Sequence, residues 1–173
     1  MPDLPPEAAP ETVAHPRFGS ITIRPVRRDD AAGIRDGFAR QTPEDLRLRF
    51  FGPMNELPAD IVEHMTRFAP GDEVTFVAES ADGALLGGVR MVCNRAGGAE
   101  FAITVASRAK RAGIGRLLMG KMLRYARGRG LAQIWGDVLH ENAPMLGLAR
   151  ALGFRLTTIA QAPEIVRATL DLR

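Results

Sequence analysis

The residues best suited to chemistry lie in one short stretch, Lys110-Arg111-Ala112-Gly113-Ile114-Gly115-Arg116. It follows an alternating run from Ala99 to Val105 and opens the strongest helical pattern in the chain. A turn of this kind favours an anion. The first N–H groups of a helix lack intrahelical acceptors, and the helix dipole is positive there. Glycines at 113 and 115 remove Cβ atoms that would hold a phosphate off the backbone, and Lys110, Arg111 and Arg116 add charge-assisted donors. The structural alternative is that both glycines let the helix sit closely on a sheet. The turn is not a P-loop, because the Gly-Lys-Ser/Thr ending is missing. Nor is it a dinucleotide fingerprint, because its helix does not follow the first strand of a parallel unit. A second stretch runs from Asp137 to Phe154. There Asn142 is placed to cap a helix with Pro144 in its first turn, and Gly153 to stop it. Capping alone accounts for Asn142 without a ligand.

The elements that must position these residues follow from periodicity. Ile21 to Val26 alternates and is β-branched, a first strand. Ala31 to Arg40 has Ile34 and Phe38 on one helical face. Thr42-Pro43-Glu44-Asp45 starts a second helix, with Thr as cap, Pro at the first position and acids in the first turn; Pro58 to Arg67 is a third. Glu73 to Glu79, Ala84 to Asn94 and Ala99 to Val105 read as a three-strand meander with turns at Asp82-Gly83 and Gly97-Gly98. The helix from Gly113 to Arg129 carries Leu117, Leu118, Met122 and Tyr125 as its apolar stripe. Leu131 to Val138 is a strand and Ala143 to Leu152 a helix. Phe154 to Ile159 and Glu164 to Leu172 are the last strands. The result is a mixed α/β sheet with helices on its faces, not a regular βαβ series.

Composition bounds the answer without deciding it. The 173 residues are 46% hydrophobic and 25% charged, enough for one domain with a real core. A single cysteine, Cys93, excludes a disulfide framework and Cys-rich zinc modules, and no histidine has metal-ligand spacing. Prolines 2, 5, 6, 10 and 16 predict a flexible tail over 1–18, leaving one domain over 19–173. No apolar run approaches a membrane span and the N-terminus has no signal-peptide pattern, so a cytoplasmic protein is expected. The net charge of +3 is too small and scattered for a nucleic-acid surface.

Taken together, the Lys-x-x-Gly-x-Gly turn, the strand after its helix, and the Asn-helix-Leu-Gly-Phe segment resemble the GNAT (Gcn5-related N-acetyltransferase) family. Ala99-Glu100-Phe101-Ala102-Ile103, Gly136-Asp137-Val138 and Glu141-Asn142-x-Pro144-Met145-Leu146 look most like the acetyltransferase domain of bacterial Pat-type protein lysine acetyltransferases. Arg49-Phe50-Phe51 and Val166 to Leu170 point the same way. The resemblance implies a mostly antiparallel mixed sheet of about seven strands, splayed between the fourth and fifth. It also implies acetyl-CoA as co-substrate, no metal, and a protein substrate such as an acyl-CoA synthetase. Glu100 matches the strand glutamate that acts as general base; set among Ala99, Phe101 and Ala102, it is expected to be partly buried with a raised pKa. An edge-strand glutamate facing solvent is the alternative. Ile103, Thr104 and Val105 would meet the pantetheine arm, Lys110, Arg111, Ala112, Gly113, Ile114, Gly115 and Arg116 the pyrophosphate, and Asn142 and Met145 the cysteamine end. Arg47, Arg49 and Phe51 would rim the acceptor cleft, and Glu141 is the second candidate base. Lys110 stands where the family has Gln or Arg, and Ala149 where many members have a tyrosine that protonates the thiolate. Other readings are acetylation of a small amine and a non-catalytic acyl-CoA-binding module.

Overall fold

The computed structural model describes residues 4–173. Its strands are β1 (Glu11–His15), β2 (Gly19–Pro25), β3 (Glu73–Ser80), β4 (Leu85–Cys93), β5 (Gly98–Val105), β6 (Gln133–Leu139), β7 (Arg155–Ile159) and β8 (Ala162–Asp171). The helices are α1 (Ala31–Ala39), α2 (Pro43–Phe50), α3 (Ala59–Met65), α4 (Ile114–Gly128) and α5 (Ala143–Ala151). The strands form one eight-stranded sheet in the order β1-β2-β3-β4-β5-β6-β8-β7. Every neighbouring pair is antiparallel except β5–β6.

The parallel pair is short, and this creates the cleft. It runs only from Gly98↔Gln133 to Glu100↔Trp135, after which the strands separate. From Phe101 onward the β6-facing edge of β5 has no strand partner. Gly136, the next residue of β6, lies against Phe101: a Cβ there would stand 2.7 Å from the Phe101 ring and 2.9 Å from its carbonyl oxygen. Phe101 in turn meets Phe154 edge-on at 5.5 Å, so an aromatic pair fills the point of divergence.

The two faces of the sheet have different tasks. On one, Val74, Phe76, Leu86, Val89, Met91, Ala99 and Phe101 join Ile114, Leu118, Met119, Met122 and Tyr125 of α4 in the main core. Tyr125, Phe68 and Phe76 form a mutual aromatic cluster. The alternate residues of the same strands, including Thr75, Arg90, Glu100, Ala102 and Thr104, face the other way.

The expected flexible tail over 1–18 is corrected. Positions 1–3 lie outside the described residues, but Pro6–Ala8 is a 3-10 turn and Glu11–His15 is β1, in register with β2 from Glu11↔Ile23 to His15↔Gly19. Pro10 and Pro16 fall just outside the strand, so neither removes a ladder N–H. Ala8 is fully buried. This strand raises the expected seven to eight.

Candidate active site

The β5–α4 turn has the backbone that an anion cradle needs. Arg111 adopts φ 59° and Gly113 φ 80°, left-handed conformations that turn successive N–H groups toward one side. Gly113 is the residue before α4, and a Cβ at that φ would be strained although nothing stands within 4 Å of it. Leu117 N–H bonds to the Gly113 carbonyl, so the helical ladder starts beyond the first turn and leaves the earlier donors free. Gly115 has a different reason: a Cβ there would come within 3.2 Å of Leu148 on α5.

Two supports fix this turn from outside. The His15 ring, through Nε2–H, donates to the Ala112 carbonyl at 2.9 Å, and Arg17 Nη2 donates to the Arg108 carbonyl at 2.5 Å. On the other side the Ser107 hydroxyl lies 2.6 Å from Gln41 Oε1 and 2.5 Å from Asp45 Oδ2. Gln41 also takes the Ser107 N–H (2.8 Å) and donates to the Val105 carbonyl (3.2 Å). Lys110 Nζ pairs with Asp45 at 3.1 Å. Burial pushes the Asp45 carboxyl up, but Ser107 and Lys110 more than reverse this and hold it below the ordinary carboxylate range. None of these partners is near its mate in sequence, and no local pattern announces them.

The open cleft, about 590 Å³, runs along the free edge of β5 to the start of α5. Its lining brings together Glu100, Ile103, Thr104, Val105, Lys110, Arg111, Gly113, Ile114, Gly115, Arg116, Asn142, Met145, Arg49 and Phe51. Some expected residues do not belong. Ala112 is half-buried and off the lining, its carbonyl committed to His15. The Ile114 side chain is 1% exposed in the main core, so only its backbone can serve the cleft. Arg47 also lies off the lining. It pairs with Glu44 at 2.7 Å and Glu141 at 2.6 Å, bridging α2 to the β6–α5 turn. Asn142 accepts from Met145 N–H at 3.3 Å, the expected cap.

Glu100 is exposed in this cleft, not partly buried as expected. Its sequence neighbours Ala99 and Phe101 alternate to the core face, so they do not enclose it. Among the described residues no side chain pairs with it, whereas the other cleft carboxylates are engaged. Asp45 is held as above, and Asp137 receives Arg167 through two bonds of 2.8 Å. The Arg167 guanidinium stacks 4.2 Å above the Trp135 ring. Glu141, the second candidate base, is held below the ordinary carboxylate range by its hydrogen bond from Arg47. That makes it a poor proton acceptor. Tyr125 is 1% exposed in the core and off the lining. Burial pushes the Cys93 thiol up, the reverse of an activated nucleophile.

The model of the acetyltransferase (GNAT) family matches residues 40–154. Streptothricin acetyltransferase of Streptomyces lavendulae is 35% identical over 143 residues, covering 79% of this chain and 71% of that protein. The chain belongs to the acetyltransferase (GNAT) family. An acetyltransferase of Pseudomonas aeruginosa is 29% identical over 138 residues, 78% of this chain and 74% of its own. Among solved structures, the GNAT domain of S. lividans PAT superposes with a TM-score of 0.88 over 98% of this chain and 100% of that one, at 24% identity. YncA of Salmonella typhimurium, solved with acetyl-CoA, has a TM-score of 0.71 at 19% identity, over 88% and 94% of the two chains. The GNAT fold, the N-acetyltransferase class and acetyl-CoA as co-substrate follow from membership. The free N–H groups of the β5–α4 turn, its Arg111 and Arg116, and the unpaired edge of β5 fit that molecule's pyrophosphate and its amide-bearing arm. No helix among the described residues is long and apolar enough to cross a membrane.

Proposed function

We propose that this GNAT enzyme acetylates lysine side chains of proteins by direct transfer, with Glu100 as general base. The observation that carries the reading is Glu100 itself, the one carboxylate lining the cleft that has no partner among the described residues. It takes the acceptor's ammonium proton, directly or across one water, which frees the amine lone pair. Acetyl-CoA supplies the activated acyl group. One of the backbone N–H groups of Ile103 to Val105, on the edge that β6 leaves free, polarises the thioester carbonyl. Arg111 and Arg116, with the backbone of Gly113 to Gly115, hold the pyrophosphate, while Lys110 shares its charge with Asp45. Asn142 and Met145 border the cysteamine end. Ala149 is buried and no tyrosine lines the cleft, so the second proton, which the amine nitrogen gives up as the tetrahedral intermediate collapses, reaches the departing thiolate through solvent, and the one held by Glu100 is released to water.

The cleft is open and rimmed by Arg49, Lys110, Arg111 and Arg116, which suits a protein loop better than a small polycation. The end-to-end likeness to the PAT domain supports the same choice, and with it a cytoplasmic acyl-CoA synthetase as a target. Similarity to streptothricin acetyltransferase favours a small amine instead. Incubating the protein with acetyl-CoA and a cell lysate should yield new acetyl-lysine peptides by mass spectrometry. Acetylation of streptothricin or polyamines with no labelled protein would replace the reading.

His15 gives a second test. His15→Ala should raise KM for acetyl-CoA about 3–10-fold, the worth of one hydrogen bond, with kcat unchanged and partial rescue by Gln. An unchanged KM would remove β1 from the cofactor site.

A further inference from the structure

Beside the cleft, under α1 and α2, lies a second and smaller pocket of about 100 Å³. Arg49, Phe50, Gln41, Ala102 and Thr104 border both. Gly33 and Gly37 on α1 and Gly88 on β4 border it, whereas a Cβ at Gly87 would point the other way, toward Leu118 of α4. Two glycines within one turn of a helix weaken that helix relative to alanine, and at Gly37 a Cβ would meet nothing within 4 Å. At Gly37 no neighbouring side chain takes that space, whereas at Gly33 Leu85 comes within 3.2 Å of it.

The walls are apolar except at one place. Thr75, Arg90 and Ala102 form a single row across β3, β4 and β5, and Arg49 reaches over that row from α2. The Arg49 Nε donates to the Thr104 hydroxyl at 3.0 Å, and no carboxylate pairs with its guanidinium among the described residues. Arg90 is already matched by Glu73, which His64 also contacts at 3.2 Å. Burial, with Arg90 nearby, pushes the Arg49 guanidinium down to about 10, and the charge of Glu100 only partly offsets this. Thr75 Oγ1 is the second sign. Thr75 is 5% exposed, borders the pocket, and its hydroxyl has no hydrogen-bond partner. An unbalanced guanidinium and an orphaned hydroxyl in one apolar pocket are the donors an anion needs.

The register places the pocket on the same sheet face as the reacting centre. Ala102, at the end of that row, lies two residues along β5 from Glu100, about 7 Å away, and Thr75 lies two strands further across at about 5 Å per strand. We infer that this pocket is a subsite for a carboxylate borne by the acceptor, bound by Arg49 and Thr75 on the sheet face that also carries Glu100. The carboxylate is that of an Asp or Glu near the acceptor lysine, or the α-carboxylate of free lysine. The inference rests on the reading of the neighbouring cleft as the acyl-transfer site.

The test compares matched acceptors by CoA release: a peptide containing Asp-Lys against the same peptide with Asn-Lys, and free lysine against lysinamide. In either pair the carboxylate form should be favoured in kcat/KM by about tenfold or more. Arg49→Met should abolish the preference, and Gly37→Leu, which adds a side chain at the pocket wall, should reduce it. Preference in the peptide pair alone assigns the carboxylate to a protein loop, and in the lysine pair alone to a small molecule. A ratio near one in both pairs, or a preference that survives Arg49→Met, overturns the subsite. So does a preference for succinyl-CoA over acetyl-CoA that Arg49→Met removes, because the carboxylate would then sit on the donor. Calorimetric titration with glutarate, expected to bind wild type and not Arg49→Met, reads the pocket independently of turnover. Glutarate binding without acetylation would therefore overturn the proposed function alone, and no glutarate binding by an active enzyme the subsite alone.

Discussion

Glu100→Gln is expected to lower kcat by about 10²–10⁴-fold, the usual worth of a positioned general base, with acetyl-CoA affinity held within about twofold. Gln keeps the shape and loses only the capacity to take a proton. The prediction is sharp because the alternatives in reach are already occupied. Asp137 holds the Arg167 fork, and Asp45 holds Ser107 and Lys110. Glu141→Gln should accordingly change turnover by less than about threefold, since that carboxylate belongs to Arg47. CoA release measures kcat, and calorimetric titration with acetyl-CoA measures affinity. Unchanged turnover would mean that the acceptor arrives as free amine or that the base lies elsewhere. A parallel loss of binding and turnover would make Glu100 part of the cofactor site.

Glu100 also shows where reading along the chain fails. Its sequence neighbours are apolar, which suggested burial, yet in a strand adjacent residues face opposite sides. Ala99 and Phe101 enter the core under α4, while Glu100 opens onto the cleft made by the short β5–β6 pairing. Local signals are legible along the chain: the Thr42 and Asn142 caps, the Gly113 start of α4 and the meander all sit where spacing places them. These depend on residues a few positions apart. The Gln41–Ser107–Asp45 staple and the His15–Ala112 bond join residues more than sixty positions apart, and no periodicity encodes them. The N-terminal strand was hidden by composition. Proline density argued against a ladder, and only the placement of Pro10 and Pro16 outside Glu11–His15 reconciles the two.

That strand makes the fold depend on a charge buried in α4. Lys121 is 1% exposed amid the apolar face of its helix, and its Nζ donates to the Ala9 carbonyl at 2.5 Å and to Glu11 at 2.8 Å. It also lies 5.6 Å from the Phe76 ring centroid. Removing its counterion leaves a cation in the core with one carbonyl, whereas removing the cation leaves only a surface carboxylate beside Arg124. The two deletions should therefore differ. A fully buried pair broken on one side costs about 3–5 kcal/mol. The Glu11 side chain is 43% exposed, so screening lowers the expected cost of Glu11→Ala to about 2–3 kcal/mol, or roughly 5–10 °C in Tm for a domain of this size. Lys121→Met, apolar and similar in volume, should change stability by less than about 1 kcal/mol and can raise it. Burial pushes the Glu11 carboxyl up, but Lys121 and Arg124 outweigh it, so its folded pKa lies below the ordinary 4.5. A lowered folded pKa stabilises above the unfolded value and loses that contribution as pH falls through the folded one. The deficit of Glu11→Ala should thus be full at neutral pH and shrink below about pH 4.5. Thermal unfolding of both variants across that range measures it. Equal losses for Glu11→Ala and Lys121→Met, or a deficit independent of pH, would show that β1 is held by its ladder alone and not by the buried ammonium.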